Sequence, residues 1–161
     1  LKMRIKNSLV FLLMGILFFS CDKKRVFDEY HSVGSAWHKD STVTFQLPEL
    51  DSTKKYDLFV NLRSNDNYPF NNLFLIVALE LPNGFTKVDT LEYQMANPDG
   101  TLLGEGFTDI KESKLFYKEK VKFRGKYKVS IKQAVRETGK VPGVEQLEGI
   151  TDVGFRIENK E

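Results

Sequence analysis

From residue 26 onward, apolar and polar residues alternate with a period of two along most of the chain. In Tyr56-Asp57-Leu58-Phe59-Val60-Asn61-Leu62-Arg63 one set of alternate positions is wholly apolar and the other mostly polar. Tyr127, Val129, Ile131, Gln133 and Val135 alternate with Lys126, Lys128, Ser130, Lys132 and Ala134, and Val153, Phe155 and Ile157 alternate with Gly154, Arg156 and Glu158. A period of two is the mark of a strand with one buried face. Leu73 to Leu81 is nearly continuous in apolar residues, as expected of a central strand covered on both faces. Turn residues punctuate these runs. Pro82-Asn83-Gly84 predicts a hairpin, Arg124-Gly125 a second one, and Pro98-Asp99-Gly100 and Gly139 to Gly143 mark longer loops.

The pattern predicts about eight antiparallel strands, near 26–30, 42–47, 56–63, 73–81, 85–93, 113–123, 126–136 and 150–158, and no stretch has a helical period. Many short strands separated by turns predict an all-β fold, a single β-sandwich of jelly-roll type spanning residues 26–161.

The first 20 residues follow another rule. Lys2, Arg4 and Lys6 form a basic start, and Leu9 to Phe19 is apolar apart from Gly15. Eleven helical residues reach about 17 Å, against a hydrocarbon core of ~30 Å. The segment therefore reads as a cleaved signal peptide, not a membrane span. It runs into Ser20-Cys21, which resembles the lipobox of bacterial lipoproteins, although Phe18 and Phe19 replace the usual Leu and small residue. Cys21 is the chain's single cysteine, so no internal disulfide is possible, and its position marks it for lipidation. Two or three acyl chains on one residue hold a protein at a bilayer effectively for good. Residues 21–25 would be the lipidated tether, and the bases Lys23, Lys24 and Arg25 could face anionic headgroups.

Charge changes the picture little. Removing residues 1–20 takes three of the 24 bases and none of the 22 acids, which leaves a net charge of −1. That balance gives no electrostatic case for nucleic acid as a partner. Catalytic chemistry is equally unsupported. His31 and His38 lack the companions of a metal site. Ser35, His38 and Asp40 have the residue types of a triad but no nucleophile elbow. Glu49, Asp51, Glu80, Asp89 and Glu92 offer carboxylates with no spacing that sets a glycosidase pair. The expectation is no catalytic residues, no metal, no cofactor and no enzyme. Trp37, the single tryptophan, reads as core.

The most unusual segment is Asn65-Asp66-Asn67-Tyr68-Pro69-Phe70-Asn71-Asn72, after Arg63. Three roles are open to it: a structured connection, a partner-docking loop, or a site for sugar or calcium. Arg63, Tyr68 and Phe70 are the candidate partner-binding residues.

Several segments together resemble the gliding-motility lipoprotein H family (GldH) of the Bacteroidota. They are the lipobox cysteine, Leu62 through Phe74, Val88-Asp89-Thr90-Leu91, Gly100, Leu103-Gly104-Glu105-Gly106, and Leu147 through Ile157. The resemblance spans nearly the whole chain. It implies a lipid-anchored, non-enzymatic accessory component of gliding motility and the associated type IX secretion machinery, with other proteins of that machinery as partners. Lys23-Lys24-Arg25 differs from the acidic residues that follow the cysteine in surface-exported lipoproteins of that phylum, so the expected location is the outer membrane, facing the periplasm. A periplasmic glycan- or peptidoglycan-binding module is the rival expectation, by analogy of fold alone.

Overall fold

The period of two becomes strands wherever one face finds a core to cover. The computed structural model describes residues 22–160. The predicted signal peptide, 1–20, and the lipidation residue Cys21 lie outside them. The chain forms β1 (Arg25–Ser32), β2 (Ala36–His38), β3 (Val43–Gln46), β4 (Tyr56–Ser64), β5 (Asn72–Glu80), β6 (Thr86–Gln94), β7 (Lys111–Val121), β8 (Lys128–Gln133), β9 (Gln146–Glu148) and β10 (Ile150–Asn159). No helix occurs among the described residues.

Two four-stranded sheets carry the fold, in the orders β1-β10-β4-β7 and β3-β8-β5-β6, and every pairing is antiparallel. The chain passes repeatedly from one sheet to the other, and only β5 and β6 follow each other within a sheet. This is jelly-roll connectivity, as the alternation predicted. The sheets enclose a core of alternate residues, among them Leu58, Val60 and Leu62 of β4, Leu75 and Val77 of β5, and Phe155 of β10, all fully buried.

Three details differ from the expectation. First, β2 and β9 form a separate two-stranded ribbon that pairs Trp37 with Leu147. Three residues are too few to show a period. Second, Arg124-Gly125 is not a hairpin, because β7 and β8 lie in different sheets. The chain crosses between the sheets at Phe123, which is fully buried with its ring against Tyr56 and Tyr127. Third, β5 is covered on one face only. Leu73, Leu75, Val77 and Leu79 point inward, whereas Phe74, Ile76 and Ala78 are half-exposed on the outer face beside Val88. The Pro82-Asn83-Gly84 hairpin forms as predicted, with Gly84 at φ +81° and its amide donating to Leu81.

Because the strands run lengthwise, the loops sort to two ends. Residues 22–25, 47–55, 81–85, 122–127 and 159–160 share the end where the chain enters. Residues 33–42, 65–71, 95–110 and 134–149 share the far end.

Candidate functional site

The singled-out Asn-rich segment is the connection from β4 to β5, at the far end. Asn65 opens a tight turn: its side chain accepts from the Asn67 amide at 3.0 Å and its carbonyl from the Tyr68 amide at 3.1 Å. The Asn65 amide donates to the Gly149 carbonyl at 2.8 Å. Gly149 sits between β9 and β10 at φ +84°, and a Cβ there would lie 2.2 Å from the Tyr68 nitrogen. Only glycine permits both the backbone conformation and that approach. Two segments quoted above for the resemblance therefore meet backbone to backbone.

The turn tucks Tyr68 inward. Its side chain is 6% exposed, and its hydroxyl donates to the Asn72 carbonyl at 2.6 Å. Burial pushes the phenol's pKa well above its ordinary value. Tyr68 thus locks the loop and offers no free face. Phe70, edge-on to Tyr68 at 6.0 Å, is half-buried and lines an open groove of about 810 Å³ with Pro69, Asn97, Pro98 and Arg136. Of the three candidate partner-binding residues, Phe70 is the one presented at this groove.

Arg63 lies elsewhere, on the outer face of the β1-β10-β4-β7 sheet. Its guanidinium sits 4.1 Å from the Tyr30 ring centroid and donates to Glu112 at 2.8 Å. Tyr30 in turn packs against Gly154, where a Cβ would come within 2.9 Å of the ring. Beside this stack runs an ion-pair chain. Arg156 donates to Asp28 at 2.7 Å, to Glu158 at 2.7 Å and to Asp22, and Lys114 donates to Glu158 at 2.5 Å. Burial would raise the Glu158 carboxyl, but Lys114 and Arg156 outweigh it and hold its pKa below the ordinary value. Tyr30, Arg63, Asp28, Lys114 and Arg156 border a second groove, of about 640 Å³, together with Leu103, Gly104 and Glu105 of the β6–β7 loop. Asn61 floors it, almost fully buried, and donates to Asp28 at 3.4 Å. The sequence reading missed this network. Its trace was an alternation of charge on strands whose other face is apolar.

The remaining candidates are scattered. His38 accepts from the Asp40 amide at 3.1 Å and lies 3.7 Å from Glu145, which makes it part of a turn. His31 packs on Phe45 at 4.7 Å. Asp51 caps Thr53, Glu80 pairs with Lys128, Asp89 binds Lys118 and Tyr117, and Glu92 accepts from Asn72. Among the described residues no group of three His, Cys, Asp or Glu side chains is placed to hold a metal. Trp37 is buried and donates to the Ser41 carbonyl at 3.1 Å.

Residues 25–157 match the model of the family described as GldH lipoprotein. The chain belongs to the GldH lipoprotein family. It is 83% identical over 159 residues to the "Gliding motility lipoprotein GldH" of Flavobacterium johnsoniae, covering 99% of this chain and all of that protein. It is 59% identical to the "Gliding motility lipoprotein GldH homolog" of Christiangramia forsetii, over 94% of each. Among solved structures, a family GH115 4-O-methyl-α-glucuronidase superposes over 88% of this chain and 18% of its own length, with TM-score 0.45 and 13% identity. The GldH match thus extends along the whole sandwich, both ends included.

Proposed function

We propose that the chain is a membrane-anchored lipoprotein of gliding motility that serves the associated type IX secretion machinery as a non-enzymatic accessory component. The observation that carries this reading is the 83% identity over the full length of a relative named for gliding motility. Acylation of Cys21 supplies the anchor, and residues 1–20 are its cleaved signal. The membrane is the outer one, with the domain in the periplasm. Partners in the machinery dock at the far-end groove beside Phe70, which Tyr68 holds in place from beneath; Arg63 lines the other groove.

The rival glycan-binding reading wants aromatic faces in a row. The exposed large aromatics Phe85, Phe107 and Phe116 sit on separate elements, and Arg63 covers Tyr30. The test is genetic. Deleting the gene should abolish colony spreading and lower protein export, with restoration by the wild-type chain and not by Cys21→Ser. Undiminished spreading and export in the deletion strain would overturn the reading. A photoreactive side chain at Phe70 should capture a motility or secretion protein in wild-type membranes.

A further inference from the structure

The near-zero net charge of the mature chain hides a sharp segregation. At the entry end, the segments 22–25, 47–55, 81–85, 122–127 and 159–160 hold nine bases and three acids. At the far end, the segments 33–42, 65–71, 95–110 and 134–149 hold three bases and eight acids. Strand β4 has nine residues, so the two ends are roughly 30 Å apart, several Debye lengths at physiological salt. Each end therefore presents its own field.

The basic residues at the entry end are available to a partner. Lys54, Lys55, Lys122, Arg124 and Lys126 are all exposed, and none forms an ion pair among the described residues. Beside them, Phe85 at the tip of the β5–β6 hairpin is 60% exposed. A basic surface with a protruding aromatic suits a lipid interface.

The tether fixes what this end meets. The chain is fastened from Asp22 onward: Asp22 pairs with Arg156, the Lys24 carbonyl accepts from the Asn159 amide at 2.9 Å, and Arg25 is in register with Glu158. One residue spans at most about 3.6 Å. An acyl group on Cys21 thus enters the bilayer next to the body of the domain, with no linker on which the domain could turn away. We propose that the basic entry end lies against the anionic phospholipid headgroups of the bilayer that holds the chain, which points the acidic far end and the Phe70 groove away from the membrane. This rests on the anchor at Cys21.

The test uses the full-length lipidated protein in vesicles of phosphatidylcholine alone or with about a quarter phosphatidylglycerol. Fluorophores are placed through K126C at the basic end or D99C at the acidic end, and quenching by headgroup-labelled lipid is read. Co-flotation with the vesicles reports the anchor separately. The K126C label should be quenched several-fold more than the D99C label. That excess should grow with phosphatidylglycerol and fall with salt. One basic residue at an anionic surface contributes roughly a five-fold gain in partitioning, so replacing Lys54, Lys55, Lys122 and Arg124 with Gln should cut the excess at least ten-fold. The salt titration needs no loop variants, so it stands even if the quadruple variant folds poorly. Chains that float but quench equally at both positions, or without regard to phosphatidylglycerol and salt, would overturn the orientation and leave the anchor intact. Shielding of the K126C label that appears only in native membranes would assign the basic end to an acidic protein and overturn it too.

Discussion

Gly149→Ala should be among the most damaging single-methyl substitutions in the molecule. Two costs add. An L-residue at φ +84° costs about 1 kcal/mol by itself. The new Cβ would also stand 2.2 Å from the Tyr68 nitrogen, 2.4 Å from its Cα and 2.6 Å from its Cβ. The first two are backbone atoms and the third is bonded directly to the backbone, so none can swing aside. The β4–β5 turn must move, which breaks the bond from the Asn65 amide to Gly149 and strains the one from the Tyr68 hydroxyl to Asn72. Breaking a buried hydrogen bond and leaving its partner unmet costs about 1–3 kcal/mol. The sum is about 2–4 kcal/mol, a large part of the stability of an ordinary domain. At roughly 3–5 °C per kcal/mol for this size, the melting temperature should drop by about 6–20 °C. Gly139→Ala is the control. Gly139 has nearly the same φ, +78°, and nothing within 4 Å of its would-be Cβ. It should lose only about 1 kcal/mol. Urea unfolding of both variants measures the difference. Losses that agree to within about 0.5 kcal/mol would refute the claim that close approach, and not backbone conformation, dictates glycine at position 149.

Arg156→Met should destabilise the domain by about 2–4 kcal/mol in urea unfolding, because Glu158 and Asp28 lose the cation between them; a loss under about 0.5 kcal/mol would show that Lys114 alone suffices. Acid should unfold the protein in a defined window. Asp89 is held below its ordinary pKa by hydrogen bonds from Lys118 and Tyr117, and Glu158 is held low by Lys114 and Arg156 against the opposing effect of burial. Groups depressed in the folded state stabilise it above their unfolded values near ~4 and lose that contribution as pH falls through the folded ones. The urea midpoint should therefore hold steady from about pH 7 to 5 and fall below it; a flat midpoint down to about pH 3 would contradict this. Gly154→Ala should cost less than Gly149→Ala, about 1–2 kcal/mol, since the Cβ meets the movable Tyr30 ring as well as the Glu29 carbonyl at 2.9 Å. Its mark should be an altered near-ultraviolet signal as Tyr30 lifts from the sheet.

The sheets were legible in the sequence because one face of each long strand must be apolar. Tyr56 to Arg63 and Val153 to Glu158 announce themselves by period alone, and both form paired strands. Where a segment answers to a different physical demand, the pattern is silent. The ribbon of Trp37 and Leu147 is too short to have a period. Phe123 looks like the last residue before a hairpin, because a core plug and a strand residue have the same chemistry. Tyr68 carries the composition of an interface anchor, yet the backbone turn at Asn65 folds it inward, and nothing local in the sequence distinguishes the two outcomes. Gly149 had no signal beyond being a glycine between two strands. Its role depends on a segment some eighty residues earlier.

Charge shows the same limit more sharply. Lys54-Lys55, Lys122-Arg124-Lys126 and Lys23-Lys24-Arg25 are short basic clusters far apart in sequence, and each is an ordinary solvated loop taken alone. Jelly-roll connectivity alone brings them to one end, since 47–55 and 122–127 are the two passages between sheets on the side where the chain enters at 23–25. The same winding carries Asp66, Asp99, Glu105 and Asp109 to the other end. A net charge near zero therefore conceals two opposed fields about one strand length apart. For a domain fastened from Asp22 onward, those fields act as a torque against a charged bilayer. Reversing Lys122, Arg124 and Lys126 to Glu should weaken that torque without touching the core or either groove. If spreading survives that reversal while the lipid anchor is intact, orientation contributes nothing to gliding, and the far-end groove must find its partners from any angle.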